Sequence, residues 1–187
     1  QTFNWGNKTY IMGVINMSPE SFSGDGFYDV NKAIAHANNL VRDGADILDI
    51  GGKSSRPLTS TYVENQIQNN KSQNDLENVG AEEELRRVIP VIKKLSSLVS
   101  VPISIDTYDA EVARKALMAG ATVINDIWGL KADPKLATVA AEFDAQLVLM
   151  HNQEHTQYID LISDIKTSLM NSVKVARQAG VAKENIV

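Results

Sequence analysis

The chain has 187 residues, 43% of them apolar, enough to bury one sizeable core in a single domain. Its net charge of -5 offers no basic stripe for nucleic acid, and no apolar run is long enough to span a bilayer. With no cysteine, disulfides and thiolate metal sites are excluded. That usage and the lack of a signal-peptide pattern favour a reducing, cytoplasmic setting.

Tyr10–Ile15 is a short apolar run that predicts a buried strand ending at Asn16. Ser18-Pro19 then turns the chain into a Ser/Gly-rich loop. Asp29 is the expected cap of a helix with an apolar stripe of Ala33, Ile34, Ala37, Leu40 and Val41, closed at Asp43-Gly44. Ala45–Ile50 predicts a second strand, followed by Gly51–Pro57.

Residues 58–80 read differently. Eight of the fourteen residues from Asn65 to Asn78 are Asn or Gln without periodicity, which predicts a flexible insertion in the loop after the second strand. The next helix carries Glu82–Glu84 at its positive end. Its expected stripe is Leu85, Val88, Ile89, Ile92 and Leu95, with a kink or break at Pro90.

Ile103–Thr107 predicts the third strand, and Asp109 caps a helix that Gly120 closes. Thr122–Ile127 is the fourth strand, and Asp133-Pro134 starts a short helix. Gln146–Met150 is the fifth strand, ending at His151. A long helix over about 159–179 follows, with Ile162, Ile165, Leu169, Val173 and Ala176 as its inward stripe.

The unit of helix, tight turn and strand repeats at Asp43–Asp46, Ala119–Thr122, Phe143–Gln146 and Gln178–Val181. Short apolar strands alternating with helices indicate a parallel sheet with helices outside. The expectation is an α/β (β/α)8 TIM barrel, incomplete here, with about five units and Ile186-Val187 opening a sixth strand. A whole barrel typically needs about 250 residues. Residues 1–187 would then form one partial domain, inactive alone and poor at folding, with open sheet edges and an open inner face.

Every predicted strand ends in a polar group: Asn16, Asp49 with the loop to Arg56, Asp106 with Thr107, Asn125 with Asp126, and His151. In a barrel these ends share one rim, where active sites are built. A ring of amides and carboxylates without basic partners suits a flat, polar ligand rich in N–H donors. The alternative is that these residues merely cap the helices that follow.

MGVINMSPESFSGDG, DIGGKSSRP, SIDT and IND, in that order, closely resemble the pterin-binding family of dihydropteroate synthases. The resemblance implies condensation of 6-hydroxymethyl-7,8-dihydropterin diphosphate with p-aminobenzoate, giving 7,8-dihydropteroate and diphosphate, with Mg²⁺ as cofactor. It implies that Asn16 contacts Mg²⁺ and diphosphate, and that Asp106 and Asn125 bind the pterin with Asp49 in support. Ser55 and Arg56 match a Thr-Arg pair serving diphosphate or the p-aminobenzoate carboxylate. Phe22 and Pro57 match the p-aminobenzoate pocket. Met150 matches an apolar wall against the pterin, although a core methionine fits equally well, and His151 is expected to support from behind. The implied chemistry is displacement at the pterin methylene, with diphosphate leaving early and no strong base. The family also implies a homodimer at full length and further anion-binding segments beyond residue 187. Two other readings stay open: a non-catalytic pterin-binding barrel, and a methyltetrahydrofolate-dependent methyltransferase relative, which would lack the SPESFS and SSRP loops.

Overall fold

The computed structural model describes residues 8–18, 29–53, 80–153 and 155–187. Five parallel strands lie in sequential order: β1 (Met12–Asn16), β2 (Ile47–Gly51), β3 (Ile103–Asp106), β4 (Val123–Asp126) and β5 (Gln146–Leu149). Between and after them run α1 (Val30–Arg42), α2 (Ala81–Leu95), α3 (Ala110–Met118), α4 (Lys135–Glu142) and α5 (Leu161–Gln178). Sequential parallel order with a helix after each strand makes this a run of five units of a (β/α)8 barrel. Ile186 pairs in parallel with Leu147, and Val187 exchanges backbone hydrogen bonds with Leu147 and Leu149, as expected of an opening sixth strand.

The core lies between sheet and helices. Ile15, Ile50, Ile105, Ile124 and Leu147 stand opposite one another across all five strands, each fully buried against the helical layer. Because side chains alternate along a strand, this apolar row forces its neighbours onto the other face. The polar residues one position further on therefore point away from the helices.

Helix starts follow the capping residues in the sequence. Asp29 accepts from the backbone N–H groups of Asn31 and Lys32, Asp109 from Glu111 and Val112, and Asp160 from Ser163. Pro134 takes the cap position of α4, while the Asp133 carboxylate accepts from the Lys135 N–H at 3.1 Å.

Three expectations need correction. β1 lies two residues later than read at its start and includes Asn16; at Ile11 the N–H donates to the Asp46 carboxylate at 3.0 Å while the carbonyl still accepts from the Asp46 and Ile47 N–H groups. Helix α2 runs unbroken through Pro90, which faces solvent, and its buried stripe includes Val91 and Glu84. The stripe read for α5 is not buried as a whole: Ile162 is 72% exposed and Val173 38%, and the buried line of that helix is Ser172 and Ala176. Those two small side chains let α5 sit close on the turn after β4, where the Ser172 hydroxyl donates to the Gly129 carbonyl at 2.7 Å. Of the insertion read over 58–80, only Gly80 lies within the described residues, at the N-cap of α2.

Candidate functional site at the strand ends

The sheet register builds the site. Asn16 stands opposite Gly51, Gly51 opposite Asp106, and Asp106 opposite Asn125. One residue past the buried isoleucine row, all four share the face away from the helices. Gly51 leaves the middle of this row open. A Cβ there would lie 3.4 Å from Asp106 Oδ2 and 3.7 Å from Asn16 Oδ1, so the amide and the carboxylate lean towards one gap. One layer deeper, Asp49 pairs with Ser104 and is buried. The Asn125 amide donates to Asp49 Oδ2 at 3.0 Å. This bond leaves the Asn125 carbonyl oxygen as the acceptor of that side chain.

The electrostatics follow from burial. Loss of water, then the charges of Asp49, Glu84 and Asp126, push the Asp106 carboxyl up to about 8. Burial also raises Asp49, with the Ser104 hydroxyl and the Asn125 amide pulling the other way. Carboxyl groups therefore crowd a region whose described cations are engaged elsewhere. Lys53 Nζ sits 4.8 Å above the Tyr108 ring, and Arg87 holds Glu83 and the Gly52 carbonyl. Such a row can accept hydrogen bonds from a flat donor-rich ring and would favour positive charge on it.

Asn16, Asp49, Asp106 and Asn125, singled out in the sequence, are thus brought together. Met150 directly follows β5 and is 45% exposed in this chain. Its backbone N–H donates to the Asp126 carbonyl at 3.2 Å. His151 turns to Tyr158, with 3.2 Å between Nε2 and the phenol oxygen. Phe22, Ser55, Arg56 and Pro57 lie outside the described residues.

Asp126 does not belong to the ring in which the sequence reading put it. It follows Asn125 directly, so it faces the helical side. There it is buried and holds the turn after β4, accepting from the Trp128 N–H at 2.8 Å and the Leu130 N–H at 2.6 Å.

Two neighbours of the site escaped the sequence reading. Ser104 is fully buried beside Asp49, and Glu84 of α2 is buried behind Asp106. A signal for Glu84 existed, since it falls in phase with Val88, Ile92 and Leu95 on the inward stripe of α2.

Comparison with known proteins agrees with this geometry. Residues 12–187 match the family model described as pterin binding enzyme. A dihydropteroate synthase of Bacillus subtilis is 48% identical over 181 residues, covering 96% of this chain and 58% of the relative. One from Clostridium beijerinckii is 43% identical over 186 residues, covering 99% and 63%. Among solved structures, a Clostridium difficile dihydropteroate synthase in the presence of pteroic acid superposes with a TM-score of 0.83 at 45% identity, covering 99% of this chain and 65% of that one. The Xanthomonas albilineans enzyme with 4-aminobenzoic acid gives 0.79 at 34% identity, covering 96% and 60%. The chain thus spans about three-fifths of the length of the relatives it matches.

Proposed function

Because this chain belongs to the pterin-binding enzyme family, we propose that it carries the pterin-recognising part of a dihydropteroate synthase. The reaction joins 6-hydroxymethyl-7,8-dihydropterin diphosphate to p-aminobenzoate. The bond from the methylene carbon to diphosphate oxygen breaks, a carbon–nitrogen bond to the arylamine forms, and the amine proton passes to solvent or to the departing diphosphate. The observation that carries this reading is the adjacency of Asp106 and Asn125 across β3 and β4, with Asn125 fixed by Asp49.

Asp106 accepts from the ring N–H and amino donors of the pterin, and the Asn125 carbonyl oxygen accepts beside it. Donors placed against the buried Asp106 carboxyl stabilise its ionised form, which then faces the ring as positive charge develops at the methylene. A weakly basic arylamine needs no strong base to attack such a centre. Met150 provides an apolar wall, Ser55 and Arg56 serve the diphosphate or the p-aminobenzoate carboxylate, and Phe22 and Pro57 line the p-aminobenzoate side.

Mg²⁺ fits the donors present. Among the described residues no three His, Cys, Asp or Glu side chains gather as a cation site. A hard ion that keeps its water and takes most other oxygens from a diphosphate needs only one protein oxygen, such as the Asn16 amide at the rim. When bound, the ion neutralises charge on the departing diphosphate. The setting of this reading is the cytoplasm and its assembly a homodimer.

The test is steady-state condensation with the protein at its natural length. Asp106→Asn is expected to lower kcat/KM by about a hundredfold or more, the scale typical of losing one aimed electrostatic group. A variant that turns over like the parent contradicts the reading.

A further inference from the structure

The acidic row sets an electrostatic problem. It suits a flat ring that donates hydrogen bonds, yet the pterin substrate also carries a diphosphate, which carboxylates repel. A cation at the rim answers this. Two cations near the strand exits are already occupied: Arg87 by Glu83 and the Gly52 carbonyl, and Lys131 by the Asn152 carbonyl.

Lys53 is different. It stands two residues past Gly51, is half-buried, and places Nζ 4.8 Å from the centre of the Tyr108 ring. Tyr108 stands two residues past Asp106. Gly51 and Asp106 are register partners, so this contact joins β2 and β3 equally far beyond that pair. A cation over a ring face is attracted by the ring's quadrupole and keeps its three N–H donors. Among the described residues none of those donors makes a hydrogen bond or an ion pair.

The base of the side chain is fixed while its tip is not. A Cβ at Gly52 would lie 2.7 Å from Val88 Cγ1 and 3.0 Å from Glu84 Cγ, so α2 presses on the backbone just before Lys53. Arg87 Nη1 donates to the Gly52 carbonyl at 2.9 Å from the same helix. Gly51 lies between Asn16 and Asp106 in the sheet. Two residues of chain span at most about 7 Å, so the lysine stem starts within reach of the row.

We propose that Lys53 binds the diphosphate of the pterin substrate: anchored at the exit of β2, between the strands of Asn16 and Asp106, its ammonium donates to a phosphate oxygen at the edge of the row. A compact point charge suits a phosphate, whereas a planar carboxylate is better matched by the fork of an arginine. The proposal rests on the reading that Asp106 and Asn125 receive the pterin.

The experiment uses the protein at its natural length. Steady-state condensation gives KM for the pterin diphosphate and for p-aminobenzoate, and calorimetry gives Kd for pteroic acid, which has the ring and a carboxylate but no diphosphate. Lys53→Met is expected to raise KM for the pterin diphosphate about tenfold, the scale of one hydrogen bond to a charged group. KM for p-aminobenzoate and Kd for pteroic acid are expected to stay within about threefold of the parent. Lys53→Arg keeps the charge and is expected to recover most of the loss. Tyr108→Leu removes the ring but leaves the ammonium, and is expected to stay within about threefold throughout. Should Lys53→Met fail to fold, Lys53→Gln carries the same comparison.

An unchanged KM for the pterin diphosphate in Lys53→Met overturns the proposal. So does a rise in KM for p-aminobenzoate instead, which assigns the ammonium to the carboxylate. A loss in Tyr108→Leu equal to that in Lys53→Met also overturns it, because the contact is then a structural clasp. Asp106→Asn separates the two levels. If it binds pteroic acid like the parent, the pterin reading itself fails; if it loses pteroic acid while Lys53→Met behaves like the parent, only the role of Lys53 fails.

Discussion

Asp106 concentrates the electrostatics of the candidate site at one carboxyl. An ordinary aspartate ionises near 3.9, whereas burial and the neighbouring acids hold Asp106 at about 8. Between those values the folded chain keeps a proton that the unfolded chain has lost. The folded state then binds more protons, so this residue's contribution to stability declines as pH rises from about 4 to about 8. Asp106→Asn removes the penalty. Its melting temperature is expected to exceed the parent's by several degrees at pH 8, with the difference closing towards pH 4. Thermal melts across that range check it, and a difference independent of pH contradicts the assignment. Four residues of the candidate site were legible because a polar residue ending a short apolar run is conspicuous: Asn16, Asp49, Asp106 and Asn125. Asp126 was misread by adjacency, although strand alternation already forbids two consecutive residues from sharing a face. Glu84 was read as an acidic residue complementing a helix N-terminus, which describes Glu83 better, since Glu83 pairs with Arg86 and Arg87 at the surface. Phe22, Ser55, Arg56 and Pro57 rest on the resemblance alone.

At the level of elements, the repeated turn noticed in the sequence is one device used four times. Gly44, Gly120, Asp144 and Gly180 each have positive φ after a helix. In each case the next residue's N–H reaches back five residues, Ala45 to Leu40, Ala121 to Ala116, Ala145 to Ala140 and Val181 to Ala176. This Schellman closure turns the chain from helix into strand within two or three residues after Gly44, Gly120 and Asp144, while after Gly180 a 3-10 turn over Lys183–Asn185 precedes the bridge at Ile186. The positions differ in crowding. A Cβ at Gly44 meets nothing within 4 Å, while one at Gly120 would lie 2.5 Å from the Ser96 Cβ. Gly44→Ala is therefore expected to cost about 1 kcal/mol, the scale of the left-handed penalty alone. Gly120→Ala is expected to cost more, because the end of α2 must also move. Urea unfolding of both variants checks the order, and equal losses contradict it. Strand and helix types were readable from hydrophobic period. The fate of the α5 stripe was not, because periodicity reveals an apolar face without revealing what meets it.

The molecule as a whole works by opposition between two faces of one sheet. A row of five aliphatic residues is driven against the helices, and the next row, which carries Asn16, Asp106 and Asn125, therefore faces the other way. Fold and site therefore have one cause, which is why both could be read from the same short strands. The central claim is that the polar row is a pterin cradle. A crystal structure of the natural-length protein with pteroic acid tests it most directly. The pterin amino group and ring N–H are expected within about 3 Å of the Asp106 and Asn125 side chains, with the ring over Gly51. A pterin ring seated away from that row, with Asp106 and Asn125 making no contact to it, would contradict the account.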